Sequence, residues 1–318
     1  NPGLWVKIGF EGDTFEMEDQ RNWSDDSFKT YSTPLRLPYP VEIKSGTSIK
    51  QMVTISFNGQ MPPMRRQTSS RRRHPVISIQ AGASTPLPRI GLGIASHAMQ
   101  LNQLELERLR LLNLHHVRVD LYLNEPDFNH KLTRAWQTAQ ALGVVLVIAL
   151  FFSDQASREL DDLCAALTQV KPEVGAWLVF QRQHRATPVS LVELVKPRLA
   201  ILYPGVPLGG GSDLYFAEVN RNRPVLNLLD FVSYSLNPQV HVTDNQSLME
   251  SLLSQARMVE TAQLISGAKP VMVSPITFKP RFNPSSGVTP VPEPGKLPLP
   301  VANPENRIFT SSMRTAAA

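Results

Sequence analysis

The segment 116–152 has the sequence HVRVDLYLNEPDFNHKLTRAWQTAQALGVVLVIALFF. Its apolar side chains predict strands at 116–122 and 144–152, and the apolar spacing within 130–142 is that of an amphipathic helix. Gly143 ends this helix directly before the second strand. Two strands joined by such a helix lie parallel to each other, which is the unit from which α/β proteins are built.

The same alternation continues on both sides of this segment. This alternation of strands and helices predicts one parallel sheet with right-handed crossovers. The first strand–helix turn, 94–99, lacks the glycine fingerprint of a dinucleotide-binding sheet, so a barrel is favoured over a doubly wound sheet. The predicted strands are 90–95, 116–122, 144–152, 176–181, 206–211, 231–235 and 270–274, and the predicted helices are 101–112, 130–142, 156–170, 191–202 and 248–266.

The chain before this alternation has a different composition. Segments 4–10 and 14–18 are strand-like around the turn 11–13, and 50–57 alternates with period two. We expect 1–58 to be the C-terminal part of a β-sandwich-like domain, 59–88 to be a Pro/Arg-rich linker, and 89–318 to be a TIM-type barrel lacking its last strand. The predicted fold class is therefore α/β: an incomplete (β/α)8 barrel preceded by a fragment of a β-sandwich.

Charge and cysteine content narrow the possible partners. The net charge of +5 equals the contribution of five clustered arginines, Arg65, Arg66, Arg71, Arg72 and Arg73. That cluster has no interleaved aromatic residues for base stacking, so no nucleic-acid partner is expected. No apolar run approaches the roughly 18 residues of a membrane helix. The single cysteine, Cys164, excludes an internal disulfide and predicts a reducing, cytoplasmic location.

Polar residues follow several predicted strands at the end where barrels carry out their chemistry. The segments 218–221 and 237–241 together supply a carboxylate, an imidazole, a guanidinium and amides, a mixture that binds hydroxyl-rich ligands and offers acid–base groups. Arg118 and Asp120 share one face of their strand. They are either a substrate contact or a buried ion pair that locks the barrel, and the sequence leaves both interpretations open.

Four motifs carry a resemblance to a known family: the segments 15–31, 215–224, 237–241 and 274–284. They resemble the D-apionate lactonase family, and the resemblance covers nearly all of the chain outside the arginine-rich segment. It implies an N-terminal β-sandwich-like domain, a central TIM barrel and a small C-terminal domain. The implied activity is hydrolysis of D-apionolactone to D-apionate. The motif residues carried over are Glu18, Asp19, Arg21, Trp23, Lys29, Glu218, Asn220, Arg221, Asn237, Gln239 and His241.

Lactone opening needs water to attack the carbonyl carbon, an oxyanion to be stabilised, and the leaving oxygen to gain a proton. We expect Glu218 and His241 to supply acid–base chemistry. The expected oxyanion donors are Arg221 and Asn237, and the expected substrate-binding residues are Asp120, Arg118, His97, Asn220, Gln239 and Lys279. No Gly-x-Ser-x-Gly elbow is present. The expected partner is a small sugar lactone, with no cofactor and no metal.

Two other functions fit the same residues. A TIM-barrel glycoside hydrolase would use Glu218 as one of two carboxylates, about 5–5.5 Å or about 6.5–9.5 Å apart. Asp120 is the candidate for the second carboxylate. A non-catalytic carbohydrate-binding protein is the third interpretation.

Overall fold

A computed structural model describes residues 4–18, 29–34, 36–38, 40–59, 82, 86–94, 100–237, 249–277, 282–283 and 287–288. The described residues up to Pro88 form one compact unit, and those from Arg89 onward form a second.

The first unit contains four antiparallel strands. Strand β1 (Leu4–Glu11) pairs along its whole length with β4 (Met52–Gly59), and the short strands β2 (Glu16–Met17) and β3 (Thr30–Tyr31) pair with each other. The turn after β1 therefore does not join two paired strands, although the sequence predicted strands on both of its sides. The reason is that β4 offers β1 eight consecutive partners, whereas β2 has only two residues.

The second unit is built on a sheet of seven parallel strands that follow one another in chain order. This order confirms the predicted barrel-type α/β fold, because a doubly wound sheet would reverse direction at an inner strand. The strands are β5 (Gly91–Gly93), β6 (His116–Tyr122), β7 (Val145–Phe152), β8 (Val174–Gln181), β9 (Leu208–Tyr215), β10 (Phe231–Leu236) and β11 (Val271–Ile276). A two-residue pair, β12 (Phe282–Asn283) and β13 (Gly287–Val288), follows.

Helices connect these strands. They are α1 (Gln103–Arg110), α2 (Phe128–Leu142), α3 (Ala156–Val170), α4 (Val189–Leu202), α5 (Phe216–Arg221) and α6 (Leu252–Ser266). A capping box begins α1, since the Asn102 side chain accepts from the Glu105 amide and the Glu105 side chain accepts from the Asn102 amide. Gly143 and Gly267 end α2 and α6 in the left-handed conformation, with φ of 72° and 58°. Among the described residues, no helix combines the length and the apolar character needed to cross a membrane.

Both faces of the sheet are buried, which explains why the strands are almost continuously apolar. On β7, Leu146, Ile148 and Leu150 pack outward against the helices. The alternate residues of the same strand, Val147, Ala149 and Phe151, pack inward with residues of β8 and β10. The inward face is where the polar residues of the barrel also lie, so this alternation decides which side chains can meet inside it.

The fifth strand differs from its prediction. It was expected to end at residue 211, because three consecutive glycines resemble a turn, but β9 continues to Tyr215. This extension places Asp213 within the strand and puts Glu218 in the short helix α5 that follows directly.

Candidate functional site

Three charged side chains meet inside the barrel, and we call Arg118, Asp120 and Asp213 the acidic cluster. Arg118 is 4% exposed, and its Nε donates to Asp120 Oδ1 at 2.7 Å. Its Nη2 donates to Asp213 Oδ1 at 3.1 Å, and its Nη1 donates to Ser274 Oγ at 3.1 Å. The ion pair between Arg118 and Asp120, one of the two interpretations that the sequence leaves open, is therefore present, and it is part of a larger network that joins β6, β9 and β11.

The two carboxylates of this cluster are less buried than the guanidinium between them. Their side chains are 27% and 13% exposed for Asp120 and Asp213 respectively. Each lies two residues before the end of its strand, on β6 and β9. Both therefore sit at the carboxyl end of the barrel, where a ligand can reach them.

A second group of charges lies at the same end, and we call Arg185, Glu218 and Arg221 the arginine cluster. The Glu218 side chain is 8% exposed, and its Oε1 accepts from Arg185 Nη1 at 3.0 Å and from Arg221 Nη1 at 3.4 Å. Its Oε2 accepts from Asn222 Nδ2 at 3.1 Å. One buried carboxylate thus holds the guanidinium groups of two arginines whose side chains are 62% and 46% exposed.

Two serines tie the clusters together through the backbone. Ser212 Oγ donates to the carbonyl oxygen of Arg185 at 2.5 Å, which fixes the loop after β8 against β9. Ser235 Oγ on β10 contacts the carbonyl oxygens of Asp213 at 2.8 Å and of Leu214 at 3.0 Å. Because Asp213 lies between these two anchored points, the positions of the clusters relative to each other are set by hydrogen bonds rather than by loop packing alone.

Aromatic rings close the inner core just beneath this end of the barrel. Tyr122 stacks on Phe151 with a centroid separation of 4.5 Å, and Phe151 contacts Phe180 at 5.3 Å. The guanidinium carbon of Arg182 lies 5.5 Å from the Tyr122 ring centroid, and Arg182 Nη1 donates to Asn124 Oδ1. The barrel mouth therefore combines charged side chains with an aromatic floor, a combination common in sites for small polar ligands.

Of the other predicted site residues, the structure describes two. Asn237 directly follows β10 and is 1% exposed. Asn220 lies on α5, and its Oδ1 accepts from Arg223 Nη2 at 3.1 Å, so its amide oxygen is directed to a surface arginine. His97, Gln239, His241 and Lys279 lie outside the described residues, so the predicted convergence of Glu218 and His241 stays a prediction.

Sequence reasoning missed Arg185 and the link between Arg118 and Asp213. Arg185 lies in the connection between β8 and α4, and no periodicity marks it. Asp213 would have been recognised as a strand-end carboxylate if the strand had been extended through the three glycines. Arg118, in contrast, was placed on the correct face because it lies two residues from Asp120 on a strand.

One imidazole inside the barrel has a strongly changed acidity. Burial, with smaller contributions from His115 and Arg118, lowers the pKa of His116 to about 4. Its Nδ1 lies 3.4 Å from His115 Nδ1. His116 is the first residue of β6, so it lies at the opposite end of the strand from Asp120 and Tyr122 and belongs to the barrel's structure rather than to its mouth.

No cluster of three or more His, Cys, Asp or Glu side chains suited to a metal ion occurs within the described ranges.

The strand order and the polar residues at the carboxyl ends of the strands define a TIM-barrel protein. The TIM barrel domain of D-apionate lactonase, as a family model, matches residues 90–308, and the N-terminal domain of the same family matches residues 1–60. The chain belongs to the D-apionate lactonase family, which confirms the resemblance seen in its motifs.

One curated relative agrees with this assignment. The chain is 28% identical over 319 residues to D-apionate lactonase of Brucella anthropi, an alignment that covers 96% of this chain and 51% of that protein. The chain thus spans about half the length of this curated relative. Among solved structures, the crystal structure of a glycoside hydrolase family 17 β-1,3-glucanosyltransferase from Rhizomucor miehei is similar, with 16% identity and a TM-score of 0.41, covering 57% of this chain and 69% of that one.

Proposed function

We propose that this chain is a carboxylic ester hydrolase that opens a sugar-acid lactone, D-apionolactone to D-apionate, at the carboxyl end of its barrel. Membership of the D-apionate lactonase family supports the reaction class. The single observation that carries the proposal is the environment of Glu218, a buried carboxylate that bears two exposed arginines at the barrel mouth.

Glu218 has the capacity to accept a proton from water. A carboxylate offers about four lone-pair directions, and the described residues use two on Oε1 and one on Oε2. The remaining direction on Oε2 is where a water molecule would be held for attack on the lactone carbonyl. General base assistance of this kind contributes about 10²- to 10⁴-fold to the rate.

The two arginines supply the positive charge that the reaction needs. As water adds, negative charge develops on the carbonyl oxygen, and each fixed donor directed at it is worth about 2.7–4 kcal/mol of transition-state stabilisation. Arg221 and Arg185 flank Glu218, so a carbonyl carbon within reach of the water on Glu218 has its oxygen beside a guanidinium. Asn237 is proposed as a further donor to the oxyanion.

The remaining polar residues are proposed to hold the sugar. Carboxylates accept hydrogen bonds from hydroxyl groups, so Asp120 and Asp213 would bind the hydroxyls of the ring, with Arg118 fixing both. Asn220, His97, Gln239 and Lys279 are proposed to complete the binding set. His241 is proposed to return a proton to the ring oxygen as it leaves.

The test is to replace Glu218 by Gln and measure turnover of D-apionolactone and of an aryl glycoside side by side. We expect Glu218→Gln to lower kcat for the lactone by about 10²-fold or more, because the amide keeps the shape but cannot take the proton. The matched control is Asp161→Asn, which alters an exposed carboxylate paired with Arg198 on the outer helices.

Two results would contradict the proposal. One is lactone turnover by Glu218→Gln at the rate of the unmodified chain, with both proteins folded. The other is release of the aryl group from the glycoside without any lactone opening, which would favour a glycoside hydrolase.

A further inference from the structure

The two clusters at the barrel mouth differ in the sign of their charge. Within the described residues, the acidic cluster has two carboxylates around one guanidinium, and the arginine cluster has two guanidinium groups around one carboxylate. A ligand held between them would meet hydrogen-bond acceptors at one end and positive charge at the other. Such an arrangement orients a molecule whose two ends differ in charge.

We propose that the arginine cluster is a carboxylate-binding subsite, and that it takes the acid group of a short, polyhydroxylated monocarboxylate such as the open-chain product. The identity of this anion rests on the proposed function. Arg185, which no motif marks, is the residue that the structure adds to the site.

The exposure of the three side chains supports a binding role. Glu218 is almost fully buried at 8%, yet the arginines that it holds are 62% and 46% exposed. Within the described part of the chain, each of these guanidinium groups makes one hydrogen bond, through Nη1 to Glu218 Oε1. A guanidinium has five N–H donors in a planar fork that matches a carboxylate, so Glu218 uses only a minority of the donors of either arginine.

Glu218 also prepares the two arginines for an anion. Arg185 Nη1 and Arg221 Nη1 lie within 3.4 Å of the same oxygen, so two long side chains that repel each other are held side by side by one buried acceptor. The loop that carries Arg185 is in turn fixed by the hydrogen bond from Ser212. Binding then requires less ordering of either side chain, which lowers the entropic cost of capturing the ligand.

A purely structural ion pair would have a different consequence. Its role would be to fasten the loop after β8 to α5, and its removal would change stability without changing affinity for any anion. The two roles are therefore separated by measuring binding and unfolding on the same variants.

The experiment is isothermal titration calorimetry of the 318-residue chain with sodium D-apionate and, as the neutral match, with the alditol in which CH2OH replaces the carboxylate. We expect the acid to bind more tightly than the alditol. Arg185→Gln should weaken acid binding by about 10- to 100-fold, the effect of losing a hydrogen bond to a charged group, and should leave alditol binding unchanged. Arg198→Gln, which removes an arginine from a surface ion pair on α4, is the matched control and should bind the acid normally.

The proposal is overturned if acid and alditol bind the unmodified chain equally, if the acid does not bind, or if a folded Arg185→Gln variant binds the acid as the unmodified chain does. Lactone turnover on the same samples separates this outcome from failure of the proposed function. Acid binding that depends on Arg185 without lactone turnover would leave the subsite standing and remove the hydrolase. Turnover with acid binding that ignores Arg185 would do the reverse.

Discussion

Arg118 Nη1 donates a hydrogen bond to Ser274 Oγ over 3.1 Å, although the two residues are 156 positions apart in the chain. Arg118 lies on β6 and Ser274 on β11, and four strands separate them in the order of the sheet. Neighbouring strands are about 4.8 Å apart, so a flat sheet would place these two strands about 24 Å apart. The hydrogen bond is possible only because the sheet curls into a barrel.

Removing the guanidinium of Arg118 should destabilise the barrel. Arg118→Met removes the guanidinium that contacts both Asp120 and Asp213 in a largely buried site. Loss of one partner from a buried charge network costs about 3–5 kcal/mol, and the partial exposure of Asp120 places this case near the lower bound. Urea denaturation of the unmodified and variant chains measures the change in the free energy of unfolding.

The control for this variant is Arg198→Met, whose ion pair with Asp161 is exposed on both sides. Such a surface pair contributes about 0–1 kcal/mol. Equal losses for the two variants would show that the acidic cluster does not stabilise the interior.

The half-buried imidazole of His116 predicts a loss of stability in mild acid. Its pKa is lowered to about 4 in the folded chain, against an ordinary value of 6.5. The unfolded chain therefore binds more protons between these two values, and the free energy of unfolding falls as the pH decreases from about 6.5 to about 4. Above about pH 6.5 the His116 imidazole is neutral in both the folded and the unfolded chain, so its titration causes no loss of stability there.

Other groups also titrate in this range, so the measurement is a comparison with His116→Gln. The stability of the unmodified chain relative to this variant should fall between about pH 6.5 and 4, and His130→Gln, which removes an exposed imidazole on α2, is the matched control. A difference between the two chains that is constant over this window would refute the prediction.

Gly211 should not tolerate a side chain. Its φ is +137°, and a Cβ atom there would lie 2.3 Å from the carbonyl oxygen of Ser233, a backbone atom that cannot rotate away. Gly211→Ala should lower the free energy of unfolding by more than about 2 kcal/mol, since both strain and collision oppose it. Gly93→Ala is the control, because a Cβ at Gly93 meets no atom within 4 Å. Thermal unfolding curves that coincide for the two variants would contradict this explanation.

The hydroxyl of Tyr234 should be dispensable for stability. The side chain is fully buried, its oxygen has no hydrogen-bond partner among the described residues, and burial raises its pKa. Tyr234→Phe should therefore leave the free energy of unfolding unchanged or raise it by up to about 1 kcal/mol, because an unsatisfied polar group is removed.

A buried hydroxyl that is hydrogen-bonded gives the opposite expectation. Ser212 Oγ donates to the Arg185 carbonyl and accepts from the Leu214 amide, so Ser212→Ala should cost about 1–3 kcal/mol. If Tyr234→Phe is as costly as Ser212→Ala, the tyrosine hydroxyl has a partner.

The sequence predicted the fold well, whereas most of the contacts at the barrel mouth could not be predicted from it. Strand and helix positions follow from local periodicity, which is why the seven parallel strands were all found. Among the contacts of Arg118, the sequence could indicate only the one with Asp120, because residues two positions apart on a strand lie on the same face. Its bonds to Asp213 and Ser274 depend on how far the sheet curls, a property that no local pattern encodes. Arg185 lies in a loop, where neither period nor composition distinguishes it.

The three glycines of β9 limit which substitutions the barrel can accept during evolution. A Cβ at Gly209 would lie 2.2 Å from the Phe231 ring, and one at Gly210 would lie 2.9 Å from Thr187 Oγ1. Each neighbour has taken the volume that a side chain on β9 would otherwise fill. A larger residue at position 209 therefore becomes acceptable only in a lineage that has already replaced Phe231 by something smaller, so these two positions should change together among descendants of a common ancestor.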